Sequence, residues 1–344
     1  MQKPALSLPY VTRDPLQISV NRGGARESVH LVDLVVCDAD GQVILAMGET
    51  ERVIFPRSAM KPLQAIALVE MLNADADLPE FTPAEIALIC ASHNGEDIHV
   101  EAVKTLLAKY DLRQDCLICG PHWSLDQSVL IKQVRALDKP QTAHNNCSGK
   151  HAGMAILAQL LTGSSADYAR LSHAAQQRIL GVLEFMTGTD LTAYSHGIDG
   201  CGAPVYSGPL GNWARAFALF AGGGEMPEAR TEACIRIKNS IAAAPHYIAG
   251  ENRACTAINA AYGEAITVKT GAEGVFSAAF HELGLGAMLK ARDGNKRGAE
   301  VALGAVIRAL GYAAPPALAP YFTPLVYNWA GDAVGDITMP NLPF

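Results

Sequence analysis

Charge is what this chain has little of. Only 18% of its 344 residues are Asp, Glu, Lys or Arg, below the usual quarter, and the formal net charge is −7. No Lys/Arg block offsets that balance, which argues against a nucleic-acid partner and favours a small polar or zwitterionic one. Long apolar runs are missing too: nothing approaches the roughly 18 residues a membrane span needs. Met154–Leu161, broken by Gln159, reads as a buried helix face. Met1–Pro15 has no apolar h-region, so no secretory signal and a cytoplasmic location are expected. There Cys37, Cys90, Cys116, Cys119, Cys147, Cys201, Cys234 and Cys255 stay reduced. Cys37 and Cys90 sit inside apolar runs as core residues. Cys116-Leu117-Ile118-Cys119 has half a zinc-knuckle spacing without its second pair, and the sequon Asn146-Cys147-Ser148 would be idle in the cytosol.

The length suits a large core in two intermingled lobes. Val29–Cys37 and Gln42–Met47 flank the turn signal Asp38-Ala39-Asp40-Gly41, so the first 55 residues read as β. A helical pattern starts at Ser58 and runs through Leu63, Ile66, Ala67 and Met71, with Pro62 tolerated in its first turn. Thr82-Pro83-Ala84-Glu85 has the form of an N-cap with proline at N1. Further helices are expected over 97–109, 147–162, 165–187, 208–221 and 228–243. Strands return at Ala265–Thr270, Gly274–Phe280 and Gly284–Lys290, followed by a turn at Asp293-Gly294-Asn295 and a helix over Gly298–Leu310. The tail from Ala313 is expected to wrap the surface. An α+β fold follows: a sheet lobe from 1–75 plus 245–344, an inserted all-helical lobe over 76–244, and an active site in the cleft between them.

Four clusters could carry chemistry. Asn145-Asn146-Cys147-Ser148-Gly149-Lys150-His151 and Asp199-Gly200-Cys201-Gly202 place thiols in Gly- and Asn-rich junctions, where turn chemistry presents them. On a helix Cys147, Lys150 and His151 share a face, and Cys201 brought alongside would make a soft metal site. Ser58 and Lys61, at i and i+3 of a helix start, can set an amine beside a hydroxyl, although a serine N-cap with a solvated lysine has the same spacing. Ser92-His93-Asn94-Gly95-Glu96 is a dense polar cluster after the apolar run Ile86–Ala91. Lys269-Thr270-Gly271-Ala272-Glu273-Gly274 ends a strand in glycines that let a ligand approach the backbone.

In order, Ser58-x-x-Lys61, Ser92-x-Asn94 and Lys269-Thr270-Gly271 resemble the three signature elements of penicillin-binding proteins and serine β-lactamases, with His93 where an aspartate is usual. Adding Asn146-Cys147-Ser148-Gly149-Lys150-His151-Ala152-Gly153-Met154, Ile198-Asp199-Gly200-Cys201-Gly202-Ala203-Pro204 and Gly271-Ala272-Glu273-Gly274, most of the chain resembles the Rhizobium-type L-asparaginases. That resemblance implies a serine β-lactamase-like fold, a homodimer, and hydrolysis of L-asparagine to L-aspartate and ammonia. It also implies the pairs Ser58/Lys61 and Ser92/Lys269, and zinc held by Cys147, Lys150 and Cys201. His151, the more conventional ligand by chemistry, would stand behind them.

On this reading Lys61 deprotonates Ser58, which attacks the side-chain amide, while Ser92 and Lys269 relay protons; the alternative makes Ser92 the nucleophile and Lys269 its base. Arg57 and Asp199 are the candidates for the substrate's α-carboxylate and α-ammonium, with His93 and Gly271 completing the substrate site. Rival readings are a glutaminase, a penicillin-binding-type serine acyl hydrolase, and a non-enzymatic protein with a structural zinc.

Overall fold

The computed structural model describes residues 9–338 and Leu342. It divides into two compact units. One, here the sheet unit, holds the chain up to Ala59, Gly208–Gly224 and the chain from Val268; the other, the helical unit, holds Met60–Ser207 and Glu225–Thr267. Three segments thus stand on other sides of the division than the expected boundaries would put them: 60–75 and 245–267 go with the helices, and 208–224 goes with the strands. Helix Lys61–Ala74 belongs with the helices because it is buried almost all round, and Leu210–Phe220 belongs with the strands because it packs on them.

The sheet is mixed but mainly antiparallel. Its path runs Leu325–Tyr327, Ala333–Thr338, Leu16–Arg22, Ala25–Cys37, Leu285–Ala291, Val275–Phe280, Ile266–Gly271, so N- and C-terminal segments interleave as expected. Val43–Met47 also pairs with Ala25–Cys37, and Tyr10–Thr12 pairs with Val43–Met47 in parallel. Gly286, opposite Cys37 in register, faces helix Leu210–Phe220. His30, on the other parity of the same strand, faces helix Lys296–Ala309 at Gly298. The sheet is therefore covered on both faces, which is why Val275–Phe280 is buried at every position instead of alternating. The C-terminal tail does not simply wrap the surface: Leu325–Tyr327 and Ala333–Thr338 extend the sheet. Its Pro and Gly residues mask this in sequence, yet Gly335 is what allows the approach, since a Cβ there would lie 2.0 Å from the Asn21 carbonyl oxygen.

In the helical unit, Lys61–Ala74 packs against Glu228–Ala243, Ala174–Thr187 and Ser148–Thr162. An apolar helix buried all round sits at the centre of such a bundle. Pro83–Ile89 starts with the expected cap, Thr82 and Glu85 bonding each other's backbone N–H groups. The unit also carries a two-stranded ribbon, His196–Ile198 with Pro204–Tyr206. The expected helix over 165–187 begins only at Ala174, where His173 supplies the cap. No helix among the described residues is long and apolar enough to cross a membrane.

One contact places the candidate site. Gly149 and Gly153, one turn apart on Ser148–Thr162, let that helix press onto Pro83–Ile89: a Cβ on Gly149 would lie 2.2 Å from the Leu88 carbonyl oxygen, and one on Gly153 would lie 3.1 Å from Ile89. Gly149→Ala should therefore destabilise the protein by about 1–3 kcal/mol in urea unfolding. Gly181→Ala is the control: Gly181 is helical, with nothing within 4 Å of an added Cβ, and should gain about 0.8–1 kcal/mol. Equal effects at the two positions would refute the close-approach role.

Candidate active site

Lys61 is the third residue after Ser58 and the first of helix Lys61–Ala74, and it is only 1% exposed. Its Nζ donates to the Ala91 carbonyl, to Ser92 Oγ at 3.0 Å and to Cys147 Sγ at 3.2 Å. Burying an ammonium costs several kcal/mol, and a hydrogen bond to a charged group contributes about 1.5–3 kcal/mol. Three acceptors are therefore about what a lysine needs to sit there. Within the helical unit the lysine on Ser92 is Lys61; the expected pairing of Ser92 with Lys269 joins residues of different units.

Backbone bonds pin Ser92 in place. Ser92 N–H donates to the Ile248 carbonyl at 3.0 Å, His93 N–H to that of Asn146 at 3.0 Å, and Asn94 N–H to that of Ala249 at 2.8 Å. His93 is buried, and both ring nitrogens are engaged: Nδ1 accepts from Gly95 N–H, so Nε2 carries the proton and donates to Ser148 Oγ at 3.0 Å. Burial, then the charges of His99, Lys61, His122 and Arg253, hold its pKa well below the ordinary 6.5. Asn94 also accepts from Arg253 at 2.6 Å. Sequence reading missed Arg253, because nothing local ties it to a motif 159 residues earlier.

The thiol cluster follows from two local devices. Cys147 occupies the N-cap of helix Ser148–Thr162, and its own N–H is held by Asn145 Oδ1 at 2.8 Å. Cys201 is presented by the turn Asp199–Gly202, closed by Gly202 N–H to the Asp199 carbonyl and made possible by Gly202 at φ +87°. The two thiols hydrogen-bond each other, and Lys150 Nζ donates to Cys201 Sγ at 2.9 Å. The bond from Cys201 lowers the Cys147 pKa well below its ordinary value; burial opposes this, and the attraction of Lys61 and Lys150 reinforces it. Cys201 shifts the other way because it supplies that bond and is buried. Burial disfavours the Lys150 ammonium, but Cys147, Cys201 and Asp199 outweigh it and raise its pKa to about 12.

His151 turns to Tyr168, whose hydroxyl is 2.6 Å from Nδ1 and also accepts Ile118 N–H. Gln64, also missed in sequence, has both amide atoms buried without a hydrogen-bond partner and lines a small cavity with Lys150. The donor set suits a soft or borderline cation: two adjoining buried sulfurs, one already inclined to the thiolate, and an amine. Lys150 and Cys201 would have to give up protons to ligate.

The sheet unit gathers the remaining candidates except Asp199, which stands in the helical unit. Arg57 has φ +52°, a strained conformation for a non-glycine residue that costs about 1–3 kcal/mol, immediately before Ser58. Gly271 lies against this turn: a Cβ would come within 2.4 Å of the Pro56 carbonyl oxygen and 3.2 Å of Ala59 N. Its lack of a side chain thus lets the Lys269–Gly271 strand end approach the Ser58 turn. Ser277, unremarked in sequence, lies 3.2 Å from the carbonyl oxygens of both Ala59 and Lys269. Lys269 is fully buried, and its Nζ donates to the Thr270 carbonyl at 2.9 Å. Asp199 is half-buried and bonds Gly200 N–H at 2.7 Å.

The sheet unit interleaves N- and C-terminal strands, and the helical unit buries a lysine on a serine hydroxyl. The chain belongs to the L-asparaginase II family, whose model matches residues 18–339. No curated protein matches it. Among solved structures it is similar to Mglu in its native form (TM-score 0.40, 15% identity), over 78% of this chain and 61% of Mglu; it thus spans about three fifths of that protein. A β-lactamase from Mycobacterium bovis matches with TM-score 0.40 and 14% identity, over 81% of this chain and 94% of its own. A Bacillus glutaminase matches with TM-score 0.33 and 13% identity, over 78% of this chain and 85% of its own.

The neutral state of His93 has a consequence for stability. Its folded pKa lies below the unfolded one, so below about pH 6.5 the unfolded chain binds a proton that the folded chain does not. Its contribution is complete above that pH and declines as pH falls toward the folded pKa, with a slope of up to about 1.4 kcal/mol per pH unit. Urea unfolding at successively lower pH should show this decline, and His93→Gln should make it shallower. An identical profile in the variant would refute the assignment.

Proposed function

We propose that this protein is an amidohydrolase that converts L-asparagine to L-aspartate and ammonia by serine–lysine acyl transfer. The observation that carries the reading is the buried Lys61 Nζ, 3.0 Å from Ser92 Oγ and 3.2 Å from Cys147 Sγ. Membership of the L-asparaginase II family supports this choice of substrate.

Lys61 must first give up one of the three protons it donates in the resting site; the neutral amine then takes the proton of Ser58 as Ser58 Oγ bonds to the side-chain amide carbon. The C–N bond then breaks, and nitrogen leaves as ammonia with that proton. Water cleaves the resulting ester, releasing aspartate and restoring the serine. Ser92 keeps Lys61 in place and passes protons, a task shared with Lys269. The strain at Arg57 supports Ser58 as nucleophile, since strained backbone concentrates at reacting groups. A second reading, with Ser92 as nucleophile, is favoured by its direct bond to Lys61.

Cys147, Cys201 and Lys150 would hold zinc, which when bound supplies a Lewis acid that grips and orients the substrate. Asp199 and Arg57 take the α-ammonium and α-carboxylate in this reading, and the chain works as a cytoplasmic homodimer, to be checked by sedimentation.

Ammonia release should be faster with asparagine than with glutamine; a reversed preference would make the protein a glutaminase. In intact-protein mass spectrometry, Ser58→Ala should abolish the acyl-enzyme, while Ser92→Ala should slow turnover and leave some adduct. The opposite pattern would transfer the nucleophile to Ser92. Cys147→Ser should raise KM more than it lowers kcat, and an unchanged KM would sink the positioning role of the thiol site.

A further inference from the structure

A second group of metal-type donors lies in the helical unit, in residues that the proposed chemistry does not use. Glu96, His99 and His246 each offer one ligand atom, and these atoms lie within 4.8 Å of one another. Glu96 is the N-cap of helix Asp97–Ala108, His99 is in its first turn, and His246 opens the short helix His246–Ala249. The two imidazoles stack at 5.7 Å with 12° between their planes, and His246 Nε2 is 2.7 Å from Glu96 Oε2.

His99 carries the argument. Its ring is fully buried, and Nε2 lies 3.2 Å from the His246 carbonyl oxygen. A carbonyl only accepts, so the proton is on Nε2 and the Nδ1 lone pair is bare. That Nδ1 is buried with no hydrogen-bond partner, a condition that costs about 1–3 kcal/mol in a protein interior. An imidazole whose N–H bonds a backbone carbonyl while the other nitrogen keeps its lone pair is in the form that ligates metal. Glu96 Oε1 is steadied by Glu251 N–H at 2.8 Å and Asn94 Nδ2 at 3.1 Å, leaving Oε2 toward His246. The His246 side chain is 41% exposed, which opens a way in from solvent.

We propose that Glu96, His99 and His246 bind a divalent cation of the zinc class, independently of Cys147 and Cys201. Two imidazoles and a carboxylate are a borderline donor set that leaves a fourth position for water. Ligands about 2.0–2.1 Å from zinc stand roughly 3.4 Å apart, so the group must draw in from 4.8 Å, and half-exposed His246 is the side chain able to move. The cation acts as a clamp. It ties the Ser92–Glu96 segment to His246–Glu251, the two stretches already joined by Ser92 N–H to Ile248 O and Asn94 N–H to Ala249 O. Its occupancy therefore sets how firmly Ser92 is held.

The test uses the full chain with both thiols removed, Cys147→Ser/Cys201→Ser, dialysed against zinc and then analysed for bound metal. One zinc per chain should remain, and adding His246→Ala should remove it. Cobalt(II) in the double variant should give ligand-field bands with no thiolate charge-transfer band, and zinc should raise its melting temperature only while His246 is present. Should the double variant fail to fold, His246→Ala in the otherwise unaltered chain should lower bound zinc by one equivalent. Zinc content indifferent to His246 in whichever background folds overturns the proposal. Because the readout is metal content, it stands or falls apart from the asparagine reaction.

Discussion

Everything at the candidate centre is arranged around one buried amine. Lys61 sits at the start of a helix enclosed by its neighbours, where an unpaired ammonium would be prohibitive. The chain resolves this by aiming a carbonyl, a hydroxyl and a thiol at the same Nζ. Those three acceptors come from two separate stretches, Ala91-Ser92 and Cys147. The need to satisfy Lys61 thus couples the end of helix Pro83–Ile89 to the start of helix Ser148–Thr162. The thiol pair takes its bias from the same arrangement: the contact with Cys201, helped by the Lys61 and Lys150 amines, lowers the Cys147 pKa, while that contact and burial raise the Cys201 pKa.

Small residues make the coupling geometrically possible. Gly149 and Gly153 bring the thiol-bearing helix onto the helix that ends just before Ser92, and Gly202 allows the turn that presents Cys201. Gly271 performs a similar service in the sheet unit, where the Arg57–Ser58 turn lies against the Lys269 strand. Motif glycines that look like spacers for a ligand are here chiefly spacers for backbone. Gly271 is the clearest case: the space a side chain would fill is already occupied by Pro56 and Ala59.

Much of this was legible in the sequence because it is local. The Thr82–Glu85 cap, the Glu228–Ala243 helix and the strands near 266–271, 275–280 and 285–291 follow from periodicity and capping chemistry acting over a few residues. The thiol junctions follow likewise from their Asn and Gly content. The tail strands did not emerge, because Pro- and Gly-rich composition hides a strand whose pairing partner, Leu16–Arg22, lies at the other end of the chain.

The sequence by itself determined most element types before the tail, the interleaving of terminal strands around a helical insertion, and the motif side chains placed at turns and helix ends. Tertiary structure alone decided their partners: Lys61 on Ser92 and Cys147, Lys150 on Cys201, Arg253 on Asn94, and Glu96 with His99 and His246. The reason is physical. Helix and turn preferences act over three or four residues, whereas a buried polar group must find a partner wherever packing brings one, and packing joins residues far apart in the chain.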